Sequence, residues 1–278
     1  MDSAHDWPQP QNGTAVIRLI GPVRGYEVEL TKPTAAEAVI RSEGRFPDFP
    51  LSLHGDGFEI DLRNVIGEGE SEPAYWEQCK RQIDRILERR LAEALREDTV
   101  QHVSVFGFAR LPLLVYFGSR LDDTFAVTIY QRHRSTEAWN WPDNPAPSTS
   151  FTTTSPQNPP QDAEEGVLVL NISGSIQADE LPENLQELPR WVINPAGSVP
   201  SVDVIDSLET LSEFTNSLRS MLSSMEAQHK HMRILHVLAA APVSAAVALG
   251  RVHDAHVHSK LAIYDRTDGR YTVALEIS

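Results

Sequence analysis

HVSVFGFARLPLLVYFGSRL, residues His102 to Leu121, reads as an apolar strand, a small-residue turn and an apolar helix with Pro112 in its first turn. A near copy, ILHVLAAAPVSAAVALGRV, begins at Ile234. The two stretches align residue by residue. Val105, Phe106, Ala109 and Gly118 fall on Val237, Leu238, Ala241 and Gly250, each 132 positions later. The match extends to both sides. Ile83, Leu87, Leu91 and Ala94 fall on Phe214, Leu218, Leu222 and Met225 at a spacing of 131, and Ile129-Tyr130-Gln131-Arg132 falls on Ile263-Tyr264-Asp265-Arg266 at 134. Three successive elements in the same order, ending twice in I-Y-x-R, indicate a duplicated unit.

Working outward, each copy alternates strands and helices. The first half offers strands at Thr14–Gly21, Gly25–Leu30 and Gly57–Val65, then an amphipathic helix from about Glu72 to Arg96 with Trp76, Cys79, Ile83 and Leu87 on one stripe. The second half offers strands at Gly166–Ser173 and Arg190–Asn194, a helix from about Val204 to His229, and closing strands at KLAIYDR and YTVALEIS. Between them, WPDNPAPSTSFTTTSPQNPPQDAEEG is rich in Pro, Ser and Thr and poor in large apolar residues, so it reads as linker or long loop. The expected division is a first unit over 1–141, a linker over 142–165 and a second unit over 166–278. The expected class is α/β, two tandem Rossmann-like units packed as a pseudo-dimer, with ligand-binding loops at the carboxyl ends of the strands.

The totals narrow the function. The chain has 278 residues, 41% of them hydrophobic, and a formal charge of −15. That charge argues against long duplex DNA or RNA, which needs many phosphate contacts, but leaves room for a small anionic ligand held by a few arginines. No apolar run is long enough to span a bilayer, the first residues lack a signal-peptide core, and a single cysteine, Cys79, permits no internal disulfide. A cytoplasmic protein is expected.

Several segments could carry chemistry. The turns at Gly107–Leu111 and Ala239–Ser244 are small or backbone-exposing and open onto helix N-termini. Such turns bind anions, or simply let a helix pack closely on a sheet. Arg110 could fork onto a phosphate and Ser244 could donate a hydroxyl. The segment YQRHRSTEAWNW places Arg132, His133 and Arg134 at a strand end with Trp139 and Trp141 behind them. It is a nucleotide pocket in which Trp139 stacks on a base, or an exposed basic loop with tryptophans packed beneath. Asp61, Arg63 and Asn64 end another strand, where Arg63 could meet a phosphate. His253, Asp254, His256 and His258 have unconstrained loop spacing, and no metal is expected. GEGESE near Gly67 lacks the third glycine of a dinucleotide turn. No nucleophile elbow, phosphate-binding loop, zincin motif or Cys/His dyad is present, so no catalytic residue is expected.

The paired segments HVSVFGFARLPLLVYFGSRL with VTIYQRHR, and VLAAAPVSAAVALGR with LAIYDR and YTVAL, resemble the SAVED domain of bacterial antiphage systems. The resemblance runs from about Ala15 to Ser278. It implies a fused pair of CARF-like units that binds a cyclic oligonucleotide second messenger, a cyclic oligoadenylate or a relative, in CBASS or type III CRISPR defence, with no other cofactor. It implies as ligand-facing residues Arg110, Arg132, Arg134 and Trp139 in the first unit and Ala240, Pro242, Ser244, Asp265 and Arg266 in the second, and the strand-end reading adds Leu111 and Arg63 to the expected ligand-binding residues. It also implies an effector, on a separate chain or fused, and self-association on ligand binding. A ring nuclease or another nucleotide-dependent Rossmann enzyme is the alternative.

Overall fold

In the computed structural model, which describes residues 13–23, 26, 28–49, 58–65, 72–88, 101–121, 125–157, 159–160 and 162–278, the duplication is visible as strand order. The first unit holds β1 (Thr14–Ile20), α1 (Lys32–Glu43), β2 (Pro47–Asp48), β3 (Phe58–Asp61), α2 (Pro73–Ile86), β4 (His102–Phe108), α3 (Leu111–Ser119) and β5 (Ala126–Tyr130). Its strands are all parallel, with β1 between β3 and β4, and β5 beyond β4. The second holds β7 (Glu165–Asn171), β8 (Arg190–Pro195), α4 (Leu208–Gln228), β9 (Ile234–Ala240), α5 (Val243–Val252) and β10 (Lys260–Thr267). Here β7 lies between β8 and β9, with β10 beyond β9. The orders β3-β1-β4-β5 and β8-β7-β9-β10 are the same topology written twice. The central strands read as near-continuous apolar runs because both sheet faces are covered; every residue of β1 is buried.

The units meet through α3 and α5. Gly118 of α3 faces Val247 so closely that a Cβ would collide with its carbonyl oxygen, and Gly250 of α5 faces Val115 in the same way. Val115 and Gly118 are the 132-residue counterparts of Val247 and Gly250. The contact is therefore reciprocal, as an isologous contact about a twofold axis requires. Only glycine allows the two backbones this approach.

The structure departs from the sequence reading at three places. α1 was not expected, although its signals are present: Thr31 caps the N-terminus by accepting from Thr34 N at 3.2 Å, Pro33 sits in the first turn, and Gly44, at φ 63°, closes the C-terminus. The stretch expected as a strand at Gly25–Leu30 contributes a bridge between Val23 and Tyr26, and no named strand among the described residues. The Pro/Ser/Thr-rich segment expected as linker forms β6 (Phe151–Thr154), antiparallel to β8 at the edge of the second sheet. Phe151 anchors it edge-to-face on Phe214, with centroids 5.4 Å apart. The closing strand expected at YTVALEIS is β11 (Arg270–Ile277), antiparallel to β10. The outer sheet face of the second unit is covered by two short 3-10 turns, where Ile176, Leu181 and Leu185 close a small separate core on Val167, Leu238 and Ala262. The second half of the helix expected to reach Arg96, with Leu91 and Ala94, and the GEGES loop lie outside the described residues.

Candidate ligand site between the two units

A cavity of about 410 Å³ lies at the carboxyl ends of the strands of both units, the place where open parallel sheets bind ligands. From the first unit it is lined by the end of β4 at Phe108, the α3 start at Arg110 and Leu111, and the residues after β5, Gln131, Arg132 and Arg134. From the second it is lined by the end of β9 at Ala240, the α5 start at Pro242 and Val243, and the strand end at Asp265 and Arg266. Loop residues Val23, Ser173 and Val202, with Tyr264 and Tyr271, complete the wall. Two helix N-termini thus open onto one space, each with backbone N–H groups that no helical carbonyl satisfies.

Of the candidate residues, Arg110, Leu111, Arg132, Arg134, Ala240, Pro242, Asp265 and Arg266 reach this cavity. Trp139, Ser244 and Arg63 do not line it. Trp139 is a correction: it is buried, edge-to-face on Phe106 at 5.8 Å, and Phe106 stacks on the fully buried Tyr130 at 4.4 Å. The tryptophan belongs to the core of the first unit and has no face open to a base. Ser244 is buried one layer below the wall, where its hydroxyl donates to Gln131 Oε1 at 2.5 Å. Arg63 is turned onto its own loop. It pairs with Asp61 at 2.7 Å, which holds that carboxyl below the usual carboxylate range.

The arginines differ in what they already hold. Arg110 is buried, ion-paired with Asp265 of the other unit, bonded to Thr267 Oγ1 at 3.0 Å and seated 5.6 Å over the ring of Trp76. It ties the units together. Arg132 and Arg266, the two arginines of the repeated I-Y-x-R, occupy equivalent places on the two walls. Each pairs with a carboxylate of its own unit, Arg132 with the exposed Glu137 at 3.0 Å and Arg266 with Glu180 at 2.6 Å. Exposed pairs of this kind are worth only about 0–1 kcal/mol, so another anion can displace the carboxylate. Arg134 is exposed and makes no ion pair among the described residues.

Sequence reasoning missed Gln131, whose signal was the variable position of I-Y-x-R. Its amide reaches across to the second half, donating to Ile205 O at 2.6 Å while its oxygen accepts from Ser244. It also missed the aromatic wall. Tyr264 bonds to His236 Nδ1 at 3.2 Å, and burial, with Glu165 nearby, raises its phenol above the ordinary range. Among the described residues no cluster of three metal-binding side chains occurs, and no helix is long and apolar enough to cross a membrane.

Residues 82–277 match the family model of SAVED, the SMODS-associated and fused to various effectors sensor domain. The chain belongs to the SAVED family. Solved SAVED structures share its fold. The Cap4 SAVED/CARF-domain containing receptor of Acinetobacter baumannii, with the cyclic trinucleotide 2′3′3′-cAAA, superposes with a TM-score of 0.61 at 16% identity, covering 95% of this chain and 51% of that one. The same receptor with 3′3′3′-cAAA gives 0.59 at 19% identity, over 81% of this chain and 49% of that one. The Moraxella osloensis Cap4 receptor gives 0.54 at 18%, over 82% and 48%. This SAVED chain therefore spans about half the length of the solved structures it matches. No curated protein sequence matches it.

Proposed function

We propose that the chain is a sensor that binds a cyclic oligonucleotide, a cyclic tri- or tetranucleotide, in the cavity between its two units, as part of CBASS or type III CRISPR defence. The observation that carries the reading is the pair of equivalent arginines, Arg132 and Arg266, on opposite walls of one cavity at two helix N-termini. A cyclic oligonucleotide is a ring of repeated phosphates, and a pseudo-symmetric site offers repeated cations at matching positions. Arg134 adds a cation on one side. Apolar Leu111, Pro242 and Val202 with Tyr271 supply surface for base faces. The volume is within the range of small-molecule sites. The net charge of −15 makes these arginines a local exception that a polyanionic ligand explains.

A ligand that touches both walls stabilises the arrangement of units it fits, and this differential affinity is the free energy available for signalling. The signal passes by self-association or by contact with an effector, fused or separate. The test is calorimetry of the purified chain against cyclic di-, tri- and tetranucleotides, followed by chromatography of the recovered ligand. The expected result is one ligand per chain for a tri- or tetranucleotide, recovered intact. A folded protein that binds none of them overturns the sensor reading, and consumption of the ligand replaces it with a ring nuclease.

A further inference from the structure

The duplication is broken at the outer edge of the strand that carries the repeated tyrosine. In the second unit the outer edge of β10 is covered by β11, with Leu261 opposite Ile277, Ala262 opposite Glu276 and Ile263 opposite Leu275. In the first unit the corresponding residues of β5, each 134 positions earlier, are Val127, Thr128 and Ile129. Among the described residues no strand pairs with their outer edge. Those three residues line a groove of about 220 Å³ instead.

The other walls of this groove are counterparts of the seat in which β11 ends. Glu276, Ile277 and Ser278 share a recess with Lys80, Tyr116, Ser119 and Arg120. At spacings of 131 and 132, those four positions correspond to Leu211, Ala248, Arg251 and Val252, and all four line the β5 groove. The groove is thus the same seat without its strand. It has been made apolar at Leu211 and Val252 and roomier at Ala248, where the occupied seat has Tyr116. An edge strand that pairs with no other strand among the described residues, above a floor that includes Leu208, Leu211, Ala248 and Val252, has the geometry of strand addition.

We propose that the β5 edge is a docking site for an extended segment of a partner polypeptide, which adds antiparallel to β5 and alternates apolar with acidic residues. Charge selects the occupant. The ionisable residues lining the groove, Arg219 and Arg251, are both cationic. Arg251 donates to Phe125 O at 3.0 Å, whereas Arg219 is exposed and makes no ion pair among the described residues. A second copy placed edge to edge about a twofold would bring these arginines against their own images, so the partner is a different, acidic segment. The apolar and acidic alternation of Leu275-Glu276-Ile277 in the occupied seat shows the pattern that fits.

The probe is a fluorescein-labelled peptide with the sequence of residues 270–278, RYTVALEIS, added to the intact chain. The expected result is saturable binding with slowed amide exchange at Val127–Ile129. Arg219→Glu, an exposed change, should weaken binding on the order of tenfold, about 1.4 kcal/mol. A peptide carrying Lys in place of its Glu should recover that loss on the Arg219→Glu protein. No binding at millimolar peptide, or binding that leaves exchange in β5 unchanged, overturns the proposal. Protection of β5 that rises with protein concentration in the absence of peptide overturns it in favour of a second copy.

Discussion

At the two corners where the units cross over the cavity, equivalent strand-end residues, Asp265 and Gln131, are held by different chemistry from helix positions two residues apart, Arg110 matching Pro242 and Ser244 matching Pro112. In one, Arg110 at the start of α3 reaches Asp265 after the repeated Tyr of the second unit. In the other, Ser244 at the start of α5 reaches Gln131 after the repeated Tyr of the first. Each links a helix start of one unit to a strand end of the other. One link is a buried ion pair and the other a buried neutral hydrogen bond. Duplication preserved the crossing of a helix start over a strand end, while the residues that make the tie, and its energetics, diverged. A charged tie contributes little net stability when intact but is costly to break on one side, because the partner is left charged and buried. A neutral tie lacks that asymmetry of scale.

The largest effect should therefore come from Arg110→Ala, which strands Asp265 and removes the cation over Trp76. A loss of about 3–5 kcal/mol is expected by denaturant unfolding. If Arg110→Ala is as stable as the parent chain and loses only ligand affinity, the arginine is a ligand group and the tie is incidental.

The next test concerns the symmetric part of the interface. Gly118→Ala and Gly250→Ala each drive a methyl into the opposing backbone. Each should cost about 1–3 kcal/mol by overpacking, and the two costs should be similar because the contacts are reciprocal. A loss confined to one of them would show that the crossing of α3 and α5 is not symmetric.

Much of this was readable before any coordinates. The 132-residue spacing that pairs Gly118 with Gly250 and Val115 with Val247 is a pattern in the chain, and apolar strands followed by helices fix the parallel sheets. The cavity position followed from topology, since the carboxyl ends of β4, β5, β9 and β10 share one edge. What sequence could not supply was the partner of each side chain. Arg110 looks like a phosphate ligand until Asp265, 155 positions away, is placed against it. Trp139 follows two arginines and looks like a stacking platform, but whether an indole faces a cavity or Phe106 is decided by packing across the sheet. The Thr-rich β6 has no apolar alternation beyond Phe151, so its edge pairing with β8 left little trace in the composition.

The smallest effect belongs to the neutral corner. Ser244→Ala leaves Gln131 Oε1 without its donor, while the Gln131 amide keeps Ile205 O. A loss of about 1–2 kcal/mol is expected in thermal or chemical unfolding. A loss equal to that of Arg110→Ala would remove the distinction between the corners.

The central claim is that Arg132 and Arg266 act as an equivalent pair on one ligand. Calorimetric titration of a cyclic trinucleotide into the parent chain, Arg132→Ala and Arg266→Ala, with melting temperatures in parallel, tests it directly. Both side chains are partly exposed and their carboxylate partners lie on their own units, so melting should barely change. A charge-assisted contact to phosphate contributes roughly 1.5–3 kcal/mol, so each variant should bind about one to two orders of magnitude more weakly. Near-parental affinity in both folded variants would contradict the account.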